Sequence, residues 1–185
     1  MFFLDDFFKR VVRKFRYIAK TIIKKLFTRH EVYDARNLFL VEDKELGFNR
    51  FDMIVRLLAI ENFFGKNAYG FDLYKKMQTA RRSPQWVEPA VERFKALIES
   101  YEKNGYDDKS EIIVDKNLNL LDGSHRMALA MYYKHYQISC KVRPWEERIC
   151  YGLNLFDEYG FSNEEKEILK KRYDALKKEI SSSIF

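Results

Sequence analysis

The sequence predicts a small α/β core, a mixed sheet wrapped by several helices, with a basic amphipathic helix ahead of it. Three observations carry this. Apolar residues recur at three- and four-residue spacing through most of the first 105 positions. Two short runs, IIVD at 112–115 and LNLL at 118–121, stand one tight turn apart and feed a helical stretch, MALAMYY. A third run, ISCKV at 138–142, follows that stretch and completes a strand–strand–helix–strand order. At 185 residues and 46% apolar content the chain is long enough for one core. Its 7 Gly and 3 Pro argue against a long disordered segment.

Residues 1–30 form the first unit. Leu4, Phe8, Val11, Phe15, Ile18 and Ile22 alternate in steps of four and three, and Phe7, Val12, Ala19, Ile23 and Leu26 widen the stripe. Lys and Arg fill the opposite face. Nine basic residues stand against Asp5 and Asp6, a local charge of +7 in a chain whose total is +6. The body is therefore close to neutral, which gives a nucleic-acid-binding surface there little support. No apolar run approaches 18 residues, so the segment is not expected to span a bilayer. Nor does a small-residue cleavage site follow a short apolar core. Two readings stay open: a helix lying in an anionic membrane interface, or a helix packed on the body or on a partner. The first suits a cytoplasmic protein held peripherally on the inner face of the cell membrane.

The remaining elements follow in order. From Asn49 the apolar positions 51, 54, 55, 58 and 59 define a helix that Gly65 can close. A second helix is expected from Phe71 to about Arg81. Ser83-Pro84 reads as an N-cap followed by proline at the first helical position. Val87, Val91, Phe94, Leu97, Ile98 and Tyr101 carry that helix to Gly105, with Pro89 marking a break or a late start. A helix from about Ser124 to His135 follows the paired runs. Ser162 with Glu165 makes a capping box for a last helix, whose face is Leu169, Tyr173, Leu176 and Ile180. Cys140 and Cys150 lack CxxC spacing and suit a reducing compartment. His30, His125 and His135 form no recognisable metal set with them.

The densest cluster of chemistry is Asp122-Gly123-Ser124-His125-Arg126, between an apolar strand and a helix. A strand that ends in glycine and enters a helix offers free N–H groups at the positive end of the helix dipole, a place that binds phosphate. Gly123 permits close approach. Arg126 can grip phosphate oxygens in bidentate fashion. Asp122 can hold magnesium or accept a proton. Ser124 can cap the helix, donate to phosphate or act as a nucleophile, and His125 can donate to phosphate or polarise a hydroxyl. Lys66 and the Arg81-Arg82 pair can add positive charge to such a site. Walker-type and Rossmann glycine loops are absent from the sequence.

Residues 112–142 resemble the core of the ParB/sulfiredoxin superfamily, whose strand, strand, turn, helix and strand place nucleotide phosphates on the turn. The sulfiredoxin turn is Gly-Cys-His-Arg, so Gly123, Ser124, His125 and Arg126 align with it. Ser124 stands where the catalytic cysteine would be, which argues against sulfinic-acid reduction. The ParB turn, Gly-Glu-Arg-Arg, shares only Gly123 and Arg126, and no helix-turn-helix domain is evident. Free-serine kinases, whose turn begins Asp-Gly-His, match Asp122-Gly123 best. In those kinases a glutamate outside the turn activates the accepting hydroxyl, and Glu61, in AIENFFGKN, is the candidate for that role here.

The resemblance implies a ParB/sulfiredoxin-like nucleotide-binding domain over 31–150 with a helical insertion, and a C-terminal helix over 151–185 packed on it. It implies a kinase that uses ATP or ADP with Mg2+ and acts on a hydroxyl of a small metabolite, sugar or glycan. Gly123, Ser124, His125 and Arg126 would hold the nucleotide, Asp122 the metal, and Asp122, His125 and Glu61 would serve the chemistry. The alternative is a nucleotide-binding switch or adaptor without small-molecule chemistry.

Overall fold

The computed structural model describes residues 29–40, 42–43, 47–107, 111–146 and 151–182. Of the helix expected over residues 1–30, residues 1–28 lie outside them. Arg29 and His30, the end of the basic segment, are strand rather than helix: they open β1 (Arg29–Asp34). A short helix α1 (Ala35–Phe39) and a two-stranded pair, β2 (Glu42–Asp43) with β3 (Gly47–Phe48), come next. They lead into α2 (Phe51–Phe63), α3 (Gly70–Arg81) and α4 (Val87–Asn104). Strands β4 (Ile112–Val114) and β5 (Leu120–Asp122), helix α5 (Ser124–Tyr132) and strand β6 (Gln137–Val142) form the α/β unit. Helices α6 (Leu153–Glu158) and α7 (Asn163–Ser182) close the chain.

The architecture is mixed α+β. One four-stranded sheet runs in the order β1-β6-β4-β5. β4 lies parallel to β6, while β1–β6 and β4–β5 are antiparallel. β1 was not foreseen: RHEVYD is polar and charged, and Val32 is 65% exposed on this edge. Its place comes from pairing along the whole length of β6, a tertiary partner that local sequence does not reveal.

At the centre stands α2, a helix without a polar face. Every residue from Phe51 to Ile60 is buried, and α3, α5 and α7 all pack against it. Gly70 lets α3 start against it: a Cβ there would stand 2.0 Å from the Leu58 carbonyl oxygen. Asn62 and Asn67 lock this corner, Asn62 Oδ1 accepting from the Phe71 N–H at 3.0 Å and Asn67 Oδ1 from the Gly70 N–H at 2.8 Å. On α7 the expected face, Leu169, Tyr173, Leu176 and Ile180, is buried. Its capping box is present, with Glu165 N–H on Ser162 Oγ at 3.2 Å and Ser162 N–H on Glu165 Oε2 at 2.6 Å.

Several boundaries move for identifiable reasons. The paired strands are shorter than IIVD and LNLL suggest, because the Asp115 carboxylate accepts the Asn117 and Asn119 N–H groups, each at 2.8 Å, and turns the chain. Leu118 takes a positive φ of 67° there. Ser83 makes no side-chain cap; a 3-10 turn, Pro84–Trp86, precedes α4, so Pro89 falls in that helix's first turn. α5 stops at Tyr132 rather than His135. Lys134 takes φ 57°, and His135 N–H bonds the Ala130 carbonyl while Lys134 N–H bonds Met131, a Schellman-type end.

Candidate functional site

The turn from β5 into α5 is built on Gly123, at φ 92° and ψ 18°. A side chain there would be strained twice: the backbone is left-handed, and a Cβ would meet Ile112 Cγ1 at 3.0 Å and its Cα at 3.3 Å. Gly123 is itself the N-cap residue, and its carbonyl accepts the Met127 N–H at 2.9 Å. The N–H groups of Ser124, His125 and Arg126 follow in the first helical turn, where helix geometry supplies no partner. Asp122 is exposed beside them, its Oδ1 accepting the Gly123 N–H at 2.7 Å. Ser124 does not cap. Its Oγ accepts instead from Arg50 Nη2 at 3.3 Å.

That contact leads to a cluster of arginines. Arg50, Arg56, Arg81, Arg82 and Arg126 line one cavity of about 350 Å³ together with Asp52, Tyr151 and the turn 122–126. Arg50 ties three elements together. It forks onto Asp52, Nε to Oδ1 at 2.9 Å and Nη2 to Oδ2 at 3.2 Å, and Nη1 donates to the Leu120 carbonyl at 2.7 Å. Arg56, one turn along α2, places Nη1 on Asp52 Oδ2 at 2.9 Å and on the Asp52 carbonyl at 2.6 Å. Burial alone would raise the Asp52 carboxyl, but Arg50 and Arg56 outweigh it and hold the group below its ordinary value. Asp52 is thereby spent.

The other three arginines have no carboxylate among the described residues. Arg81 Nη2 donates to the Tyr151 hydroxyl at 2.9 Å, and its guanidinium lies 4.9 Å from that ring's centroid. Arg82 Nε donates to Gln78 Oε1 at 2.6 Å. Arg126 makes no hydrogen bond to a described residue. Five permanent cations thus share a cavity with one consumed carboxylate and one exposed one, a field that favours anions and phosphate oxygens in particular.

His125 sits in that field. Its Nε2 is 2.8 Å from the Tyr74 hydroxyl, and its ring lies 4.5 Å from that of Phe94. Burial, followed by the charges of Arg56, Arg81, Arg82 and Arg126, pulls its pKa well below the ordinary 6.5. The imidazole is neutral at pH 7, and its charge state is coupled to whatever neutralises those arginines.

The structure brings Asp122, Gly123, Ser124, His125 and Arg126 together with Arg81 and Arg82. It does not bring Glu61 or Lys66 to them. Glu61 lies nine residues beyond Asp52 on α2, about 13 Å along the axis. There it pairs with Arg172 Nε at 2.7 Å, beside a separate cavity of about 730 Å³. Lys66 lines the same second cavity, its Nζ 4.4 Å from the Tyr132 ring centroid.

Sequence reasoning missed Arg50, Asp52, Arg56, Tyr74 and Tyr151. A signal existed for three of them: RFDMIVR puts Arg, Asp and Arg into an otherwise apolar helix, with Asp52 and Arg56 at i and i+4. Charges on a helix with no polar face must be buried and paired, which marks them as deliberate.

Comparison of the chain with protein-family models, with curated proteins and with solved structures finds no match. No helix among the described residues is long and apolar enough to cross a membrane.

Proposed function

We propose that this chain is a nucleotide-dependent phosphotransferase on a ParB/sulfiredoxin-like fold, acting on a hydroxyl of a small metabolite or a sugar. One observation carries the reading: a glycine-based strand-to-helix turn opens onto a cavity with three arginines that form no ion pair with a carboxylate among the described residues. The strand, strand, turn, helix, strand order over 112–142 supports the resemblance on which the kinase class rests.

The residues fit a phosphate-bearing cofactor. Among the described residues, Arg56 Nε is a buried donor without a partner and Arg126 has no competing carboxylate. Arg126, Ser124 and the first N–H groups of α5 would hold the phosphates of ATP or ADP, and the nucleotide supplies the transferable phosphoryl group. Asp122, exposed at the rim, would hold Mg2+ in that ion's usual manner, one or two carboxylates beside phosphate oxygens, or would orient the accepting hydroxyl. His125 would donate to phosphate as a neutral ring. Glu61 has no part in this arrangement, because its carboxylate is held by Arg172 in another cavity. A peripheral position on the cytoplasmic membrane face, through the segment 1–30, belongs to the same proposal and rests on the sequence of that segment alone.

The test is acceptor-stimulated turnover. The intact chain with Mg–ATP should release ADP faster when the right monosaccharide or hydroxy amino acid is added. Asp122→Asn should retain nucleotide binding and lose that stimulation. Nucleotide binding with no stimulation by any alcohol, accompanied by a change of oligomeric state, would instead identify a nucleotide switch.

A further inference from the structure

Arg56 is the least exposed of the five cavity arginines, and part of its donor set is unmet among the described residues. Its side chain is 5% exposed, and its hydrogen bonds to described residues run through Nη1, both to Asp52. Nε is buried without a partner among the described residues. A guanidinium carries five donors in a rigid plane, and an unmade buried hydrogen bond costs more than a made one returns. Such a group in a binding cavity calls for an acceptor from the ligand.

The position of Arg56 indicates which part of the ligand. The turn 123–126 offers its donors from the start of α5, whereas Arg56 lines the same cavity from α2. With about 350 Å³ to fill, the space is several times the volume of one phosphate group. A single phosphate fills only part of that space. A chain of two or three phosphoryl groups serves both sets of donors.

We propose that Arg56 is a ligand-contacting residue that takes the second phosphoryl group of a polyphosphate whose first is seated at 123–126, so that the site selects di- and triphosphates over a single phosphate. This rests on the phosphotransferase reading only in placing a phosphate on the turn. Asp52 acts as a positioning residue, fixing the Nη1 edge of Arg56 and both inner nitrogens of Arg50.

Inorganic pyrophosphate and orthophosphate are the probes, titrated calorimetrically into the intact chain. The wild type should bind pyrophosphate at least about ten-fold tighter, the equivalent of one added charged hydrogen bond. Arg56→Lys keeps a cation beside Asp52 but loses the planar set of donors. It should retain the orthophosphate affinity and lose most of the preference. A wild-type preference surviving in a folded Arg56→Lys overturns the assignment while leaving a phosphate site on the turn. A wild type that binds neither anion overturns both the assignment and the phosphotransferase reading. Should Arg56→Lys not fold, the wild-type arginine Nε–H spectrum decides. A solvent-protected Nε–H resonance should move downfield with pyrophosphate and stay in place with orthophosphate; no movement with pyrophosphate refutes the contact.

Discussion

Replacing Asp52 by asparagine removes one negative charge from between two buried guanidiniums and leaves the volume almost unchanged. Asp52 is 1% exposed, and Arg50 and Arg56 both direct hydrogen bonds onto its carboxylate at 2.9 Å. Both arginines stay charged, so the variant buries two like charges with only a neutral amide between them. Removing one partner of a buried ion pair costs about 3–5 kcal/mol. At about 2–4 °C per kcal/mol for a chain of this size, the melting temperature should fall by about 6–20 °C. Urea denaturation of both proteins at pH 7 gives the difference directly. A pH series adds a signature. The folded carboxyl lies below its ordinary 3.8, so its contribution is complete above that pH and is lost as pH falls through the folded value. The gap between wild type and variant should therefore hold from pH 7 to 5 and close in acid. A loss under about 1 kcal/mol at pH 7, with no narrowing in acid, would refute the view that Asp52 holds the two arginines in place.

Two further outcomes follow from the turn and its histidine. Gly123→Ala should destabilise the fold by about 1–2 kcal/mol from the left-handed backbone alone, and by more once the Ile112 contact is added. It should also weaken orthophosphate binding, which a thermal-shift titration reads; wild-type stability and affinity together would show that the turn relaxes freely. His125 is neutral in the fold but titrates near 6.5 when unfolded, so stability should decline as pH falls from 6.5 toward the lower folded value. His125→Asn should remove that component from the urea midpoint at pH 5.5 relative to pH 7.5; an unchanged pH dependence would mean that His125 is not held neutral.

Periodicity and terminus chemistry made much of the fold legible. Helices α2, α3, α4 and α7 fall close to where apolar spacing put them, although Ser83 does not cap α4 and α2 is buried all round from Phe51 to Ile60. Strand β1 was not legible, since RHEVYD owes its conformation to pairing with β6. For the site, the five turn residues announced themselves by concentration of chemistry. Arg50, Asp52 and Arg56 did not, for an apolar helical pattern drew attention to the core those residues interrupt. Arg81 and Arg82 were named only as added charge, and Tyr151 completes their corner from 70 residues away. Glu61 shows the limit of local reading. An acid at the end of an apolar helix invites a catalytic role, yet which wall of the molecule it faces depends on α7 and Arg172, 111 residues further on.

The central claim is that the turn and its arginines bind nucleotide phosphates, and calorimetric titration of the intact chain with ATP tests it most directly. Wild type should show saturable binding of one nucleotide per chain that weakens steeply with salt, because Arg81, Arg82 and Arg126 have no carboxylate among the described residues. Arg126→Ala should remain folded, since a cation at a helix N-terminus adds nothing to helix stability, and should lose about 1.5–3 kcal/mol of binding. Absence of binding to the wild type, or equal affinity in a folded Arg126→Ala, would contradict the account.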